Sequence, residues 1–72
     1  SLLNGKSAHI HEYKLEKSEV YHCLSGAWEI DCDGDKVVIK EKDTFSVPKN
    51  SLRSIRQISD HDGNLFIIRQ TN

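Results

Sequence analysis

Two histidines separated by a single residue have the types and spacing best suited to metal chemistry in this sequence. In a β-strand, the segment His9-Ile10-His11 places both imidazoles on one face, about 6.6–7 Å apart along the strand. Imidazoles at that separation can converge on one ion above the sheet, and neutral imidazole suits zinc, iron, copper and nickel. The pair therefore indicates either part of a metal site or a polar strand face in contact with water.

The composition is that of one small domain, residues 1–72, with balanced charge. Ten basic and eleven acidic side chains are mixed along the chain, for a formal net charge of −1. This balance predicts no nucleic-acid partner, because such proteins concentrate basic residues on one face. No apolar run approaches the roughly 18 residues of a membrane span, and residues 1–6 lack the apolar region of a signal peptide. We therefore expect a cytoplasmic protein with no membrane contact, in which Cys23 and Cys32 are reduced.

Alternation of apolar and polar residues predicts short β-strands along the whole chain. Around the histidine pair, His9, His11 and Tyr13 are expected to share one strand face. Residues 12–18 are strongly charged and are expected to form the turn that follows. Short strands with turns every 8–12 residues or so are typical of a β-sandwich or barrel. The other predicted strands are Val20–Leu24, Trp28–Cys32, Lys36–Lys40, Thr44–Val47, Leu52–Ile58 and Leu65–Arg69.

The same alternation assigns the side chains around Glu19 to opposite faces of a strand. Tyr21 is in phase with Glu19, and Tyr13 is in phase with His11. Each tyrosine is therefore placed either to line a pocket or to pack in the core. His22 is out of phase with Glu19 and is expected to face away from any site.

These segments resemble the motifs of the cupin family. Its first motif places H-x-H before a glutamate that is followed by six residues and a glycine, and Glu19 and Gly26 have that spacing. Residues 43–48 match the middle of the second motif, and the resemblance covers nearly the whole chain. It implies an all-β, cupin-like double-stranded β-helix, or jelly-roll barrel. It also implies a divalent iron, nickel, manganese or zinc ion held by His9, His11 and Glu19.

One departure from the second motif affects this metal hypothesis directly. Arg53 stands where the motif has a histidine, and arginine is permanently cationic and cannot ligate a metal. In one interpretation, Arg53 pairs with Glu19 and replaces the metal, which leaves an anion-binding or structural pocket. In the other, Arg53 grips the carboxylate or phosphate of a substrate beside a three-ligand ion, through its bidentate fork.

The length of the chain bears on how the barrel is completed. Seventy-two residues are few for the fold that the resemblance implies, so we expect a barrel that is truncated or completed by a partner chain. The run Phe66–Ile68 is apolar at every position, which is typical of a strand buried on both faces. Cupins commonly pair through outer strands, and twofold pairing is the commonest closed assembly, so a homodimer is expected.

Two functions from different classes follow from these residues. In the first, a divalent-metal-binding barrel acts on or binds a small anionic molecule, with Arg53, Tyr13 and Tyr21 as its substrate-binding residues. No residue is assigned a catalytic role, and whether the protein is an enzyme is left open. In the alternative, the domain is a non-catalytic binding or sensing module without a metal, in which Arg53 binds the anion.

Overall fold

Alternating apolar and polar residues form eight β-strands in the computed structural model, which describes residues 1–71. The all-β prediction is confirmed, and no helix occurs in that part of the chain. Accordingly, no helix among those residues is long and apolar enough to cross a membrane. The strands are β1 (Leu2–Gly5), β2 (His9–Lys14), β3 (Glu19–Ser25), β4 (Ala27–Cys32), β5 (Asp35–Lys40), β6 (Thr44–Val47), β7 (Leu52–Gln57) and β8 (Gly63–Arg69).

The strands form two antiparallel sheets of four strands each. Sheet A has the order β1-β8-β3-β6, and sheet B has the order β2-β7-β4-β5. Consecutive strands often belong to different sheets, which is the jelly-roll arrangement that the sequence predicted. The inward-facing side chains of both sheets form one core, as expected for stacked sheets about 10 Å apart. The buried apolar residues are Leu15, Tyr21, Cys23, Trp28, Ile30, Ile39, Val47, Ile55, Leu65 and Ile67.

The beginning of the chain differs from the prediction. Strand β1 was not predicted, and it pairs with β8 from Leu2 opposite Phe66 to Gly5 opposite Gly63. Residues 12–14 were expected in a turn but continue β2 as far as Lys14. The physical reason is that β2 is an edge strand of sheet B, where charged side chains can point into water without leaving the strand.

A register shift in β2 changes the face on which Tyr13 lies. Ile10 pairs with Ile55 of β7, whereas Tyr13 pairs with Arg53, so three steps along β2 match two along β7. Such a bulge reverses the inward and outward alternation beyond it. His9 is exposed on the outer face of sheet B, and Tyr13 shares the inner face with Arg53. The expectation that His9 and Tyr13 share one face is therefore wrong.

The expectation that Phe66–Ile68 is buried on both faces is also wrong. Ile67 is buried, but Phe66 and Ile68 are 42% and 47% exposed on the outer side of sheet A. Leu2 pairs with Phe66, and Val20 pairs with Ile68, so apolar side chains adjoin across three strands. We call Leu2, Val20, Leu24, Phe66 and Ile68 the apolar face of sheet A.

The turns use residues that tolerate positive φ. The predicted hairpin between β4 and β5 is confirmed, with φ values of 53° at Asp33 and 92° at Gly34. Gly26 lies between β3 and β4 with a φ of 81°, and there the two sheets are connected by a single residue. A Cβ atom at Gly26 would lie 2.9 Å from the Cα atom of Gly63, so the chain approaches itself closely at this turn.

Candidate functional site

A buried ion pair joins the two sheets in the interior. Glu19 and Arg53 are only 2% and 4% exposed, and the Nη2 of Arg53 donates to the Oε1 of Glu19 at 3.3 Å. The hydroxyl of Tyr21 also donates to Oε1 of Glu19. The Nε and Nη2 of Arg69 donate to the other carboxylate oxygen, each at 3.2 Å. We call Glu19, Tyr21, Arg53 and Arg69 the Glu19 network.

The strand pattern accounts for how these side chains meet. Glu19 and Tyr21 are two residues apart on β3, so both point from sheet A into the interior. Arg53 is on β7 of sheet B and reaches Glu19 across the space between the sheets. Arg69 is the direct partner of Glu19 in the β3–β8 pairing, at the edge of sheet A where β3 begins and β8 ends. The predicted association of Arg53 with Glu19 is present in the structure.

The charges of the Glu19 network do not cancel. Two guanidinium groups contact one carboxylate, so the network has a formal charge of +1. The Nε and Nη1 of Arg53 are buried and have no protein partner for a hydrogen bond. Buried N–H groups almost always have a partner, and an unpaired one is costly, more so when it is charged. Arg53 therefore retains two N–H donor groups for an additional acceptor, although its charge is already paired with that of Glu19.

Burial suppresses ionisation of two other groups in the interior. Burial raises the pKa of the Tyr21 hydroxyl well above its usual range, and the hydrogen bond to Glu19 raises it further, while Arg53 acts in the opposite direction. Tyr21 is therefore a neutral donor to Glu19. Burial also raises the pKa of the Cys23 thiol, with an added contribution from Asp43. Both cysteines are free, and Cys23 is kept as an unreactive thiol.

The other residues proposed for substrate binding are divided between the interior and the surface. Tyr21 belongs to the Glu19 network and is fully buried. Tyr13 pairs with Arg53 across β2 and β7, but its side chain is 52% exposed at the edge of sheet B. Arg69 was not singled out from the sequence. The only signal for it there is a basic residue at the end of the last predicted strand.

The histidine pair lies on the surface of the other sheet. His9 and His11 are exposed and line an open groove on the outer face of sheet B, with a volume of about 290 Å³. Their rings are edge to face, with centroids 4.4 Å apart and an interplanar angle of 76°. His9 Nε2 and His11 Nδ1 are 3.4 Å apart. The groove is also lined by Ile10, Glu12, Glu29, Asp31, Lys36, Ser54, Ile55 and Arg56.

The metal that the family resemblance implies does not fit these positions. Glu19 faces the interior from sheet A, whereas His9 and His11 face outward from sheet B, so the three do not converge. Both carboxylate oxygens of Glu19 already accept hydrogen bonds from arginine side chains. Within residues 1–71 no group of three or more His, Cys, Asp or Glu residues is arranged to hold an ion. In β2 and the residue after it, the side chains that face the interior include Tyr13 and the buried Leu15, where an interior metal site would need histidines.

Comparisons with known proteins identify the fold. No protein-family model matches this chain, and no curated protein matches it in sequence. Among solved structures, the Cnp3 cupin domain of Schizosaccharomyces pombe superposes with a TM-score of 0.88 at 18% identity, over 99% of this chain and 53% of that one. A predicted oxalate decarboxylase from Thermotoga maritima gives a TM-score of 0.84 at 20% identity, over 94% of this chain and 61% of that one.

A third similar structure is that of a protein bound to a partner. Drosophila melanogaster CENP-C bound to CAL1 gives a TM-score of 0.84 at 14% identity, over 96% of this chain and 59% of that one. This chain thus spans little more than half the length of these solved chains. Identities of 14–20% define a shared fold and no more. The chain therefore has the fold of the cupin superfamily, as its motifs predicted.

Proposed function

We propose that this domain is a non-catalytic module that binds a small anion at Arg53. The observation that carries the proposal is the state of the Arg53 side chain, which is 4% exposed while its Nε and Nη1 lack protein acceptors. A guanidinium group forms charge-assisted, bidentate hydrogen bonds to carboxylate or phosphate oxygens. A small anion would complete the hydrogen bonding of Arg53 and cancel the excess charge of the Glu19 network.

The rest of the network holds Arg53 in position for this role. Glu19 fixes one edge of the guanidinium, and Tyr21 and Arg69 fix Glu19 in turn. The side chain is therefore ordered before the ligand arrives, which lowers the entropic cost of binding. Glu19 also lines an open groove of about 390 Å³ together with Ser18, Pro48 and Gln70, and Arg53 is not part of its lining.

The alternative of a metal-dependent barrel has less support from the geometry. It requires Glu19 to exchange its arginine partners for an ion, and it requires two outward-facing histidines to turn inward. The likeness to a predicted oxalate decarboxylase concerns the fold of that protein. The feature of this chain that favours a small anion is therefore Arg53. Binding of the anion without turnover is the simplest function that accounts for it.

The proposal is tested by following arginine side chains during a titration with anions. The Nε–H signal of Arg53 in an ¹⁵N-labelled sample is expected to shift saturably when inorganic phosphate or oxalate is added. The Nε–H of Arg56 is a matched control in the same spectrum, because Arg56 is on the same strand but is exposed on the outer face. A shift confined to Arg56 and Arg69, or no shift at either anion, would contradict binding at Arg53.

A second role, self-association, is favoured by the apolar face of sheet A. In a chain that is 29% charged, none of the outward-facing residues of this sheet is Asp, Glu, Lys or Arg. Contiguous exposed apolar surface of this kind usually marks an interface. A second copy of the chain fits this surface because two uncharged faces bury each other without leaving a charge unpaired. We therefore propose a homodimer formed by the apolar faces of two chains.

Light scattering on protein eluting from a sizing column tests the dimer. The parent is expected to elute at twice the chain mass of 8.2 kDa, and Phe66→Lys is expected to elute as a monomer. The matched control is Val38→Lys on sheet B, since Val38 is 46% exposed and Phe66 is 42% exposed. A monomeric parent, or equal dissociation by both variants, would rule out this interface.

A further inference from the structure

A histidine lies in the middle of the apolar face of sheet A. His22 points outward from β3, between the outward side chains of Val20 and Leu24. Its direct partners on the neighbouring strands are Phe66 of β8 and Thr44 of β6. Its Nδ1 is 2.8 Å from the Oγ1 of Thr44, so one ring nitrogen is already engaged within the sheet. The half-buried imidazole is thus held in place, and it belongs to the same surface as the apolar residues around it.

The strands beside β3 place no charged side chain against His22. Its neighbours across β6 and β8 are uncharged, and none of the ion pairs among residues 1–71 includes it. Glu19 and Arg69, at the ends of β3 and β8, engage each other on the inner side of the sheet. The amino group of Ser1 donates to the carbonyl of Ile67 at 2.7 Å, from the side of β8 that is farther from β3.

The turns that lead into β3, β6 and β8 carry charged or titratable residues as well. They are Glu16 and Lys17 before β3, Glu41, Lys42 and Asp43 before β6, and Asp60, His61 and Asp62 before β8. Asp43 directly precedes Thr44, but its Oδ2 accepts a hydrogen bond from the backbone N–H of Lys40, which holds the carboxylate within its own turn. Among residues 1–71, His22 is therefore the one titratable side chain that the strands of sheet A place on their outer side.

In the homodimer proposed above, on which this inference rests, the apolar face of one chain covers that of the other. The outward side chains of the strands are uncharged apart from His22, so the covered imidazole meets apolar or neutral groups, or the same histidine of the second copy. Burying a charge with no partner is costly, and an imidazole gains its charge at about pH 6.5. We propose that protonation of His22 separates the two chains, so that the domain is a dimer above this pH and a monomer below it.

The direction and size of the effect follow from proton linkage. His22 of the monomer is in contact with water and can bind a proton, whereas His22 of the dimer cannot, so a fall in pH favours the monomer. Each dimer contains two such histidines. Exclusion of both protons from the dimer predicts that its dissociation constant rises about 100-fold between about pH 8 and about pH 5.5. Carboxylates remain ionised over this range, since they ordinarily titrate at about pH 4.

Sedimentation equilibrium of the full chain at about pH 8 and about pH 5.5 tests the role of His22. The dissociation constant of the parent is expected to rise about 100-fold at the lower pH. His22→Gln keeps a neutral polar side chain in the apolar face and is expected to dimerise equally at both pH values. The matched control is His9→Gln, because His9 is exposed on the outer face of sheet B, and it is expected to retain the full dependence on pH. Far-UV circular dichroism checks that each sample is folded at both pH values.

The possible outcomes separate the role of His22 from the dimer itself. A parent that is monomeric at about pH 8 overturns the dimer and, with it, the role of His22. A parent that is equally dimeric at both pH values leaves the dimer standing and rules out the role of His22. A dependence on pH that His22→Gln retains, or that His9→Gln abolishes, belongs to other groups and rules it out as well.

Discussion

Replacing Glu19 by alanine is expected to lower the free energy of unfolding by about 3–5 kcal/mol. The substitution leaves Arg53 as an unpaired charge that is 4% exposed, and a buried charge without a partner is strongly destabilising. This is a large share of the stability of a small domain, which typically totals about 5–15 kcal/mol. Urea denaturation of parent and variant, followed by far-UV circular dichroism, measures the loss.

The matched variant removes both members of the ion pair. Glu19→Leu with Arg53→Leu leaves no buried charge, and it is expected to recover much of the loss. For this comparison, Glu19→Ala and the double replacement each also carry Tyr21→Phe. The Tyr21 hydroxyl, which would lose its acceptor, then does not contribute to the difference. If the double replacement is as unstable as the loss of Glu19 alone, the ion pair is not the source of the effect.

Gly26→Ala is expected to be the second most damaging change. Gly26 has a φ of 81°, which costs an L-residue about 1–2 kcal/mol. The added Cβ would also lie 2.9 Å from the Cα of Gly63 and 3.2 Å from Oγ of Ser59. Relieving such an overlap in a packed region typically costs about 1–3 kcal/mol more, and thermal unfolding of the variant measures the sum.

Gly34→Ala separates the two contributions to this loss. Gly34 also has a positive φ, of 92°, but a Cβ there would meet no atom within 4 Å. Its alanine variant is therefore expected to lose only the stability that the positive φ costs. The difference in stability loss between the two variants then measures the close approach of Gly26 to Gly63. Equal losses at both glycines would show that the packing of this turn contributes nothing.

Most of the fold was accessible from the sequence because burial on one face imposes a period of two. From residue 19 onward the alternation is regular enough that the strands, to within two residues at each end, and the Asp33-Gly34 hairpin follow from residue type. Strand β1 was missed because only its pairing with β8 makes the segment Leu2–Gly5 a strand. The alternation around Tyr13 was misjudged because nothing in the local residue types marks the bulge that reverses it.

The candidate site was predictable only in part for a related reason. The motif spacing pointed to Glu19, and the arginine at a histidine position pointed to Arg53, so the central pair could be proposed. The contribution of Arg69 depends on the register of β8 against β3, which residue types do not determine. The outward position of His9 follows from its pairing with Arg56, which is equally invisible in the sequence.

The pairing of the first strand with the last has a consequence for how the domain forms. Leu2 lies opposite Phe66, so β1 has no partner in sheet A until almost the whole segment has left the ribosome. Strand β3, by contrast, can pair with β6 before β8 is available. Contacts between residues as far apart in sequence as Leu2 and Phe66 make folding slow, because the entropic cost of closing the long loop precedes the strand pairing that offsets it. Sheet A is thus completed only once β8 is available, and until then the unpaired β1 is protected from aggregation by its short length of four residues.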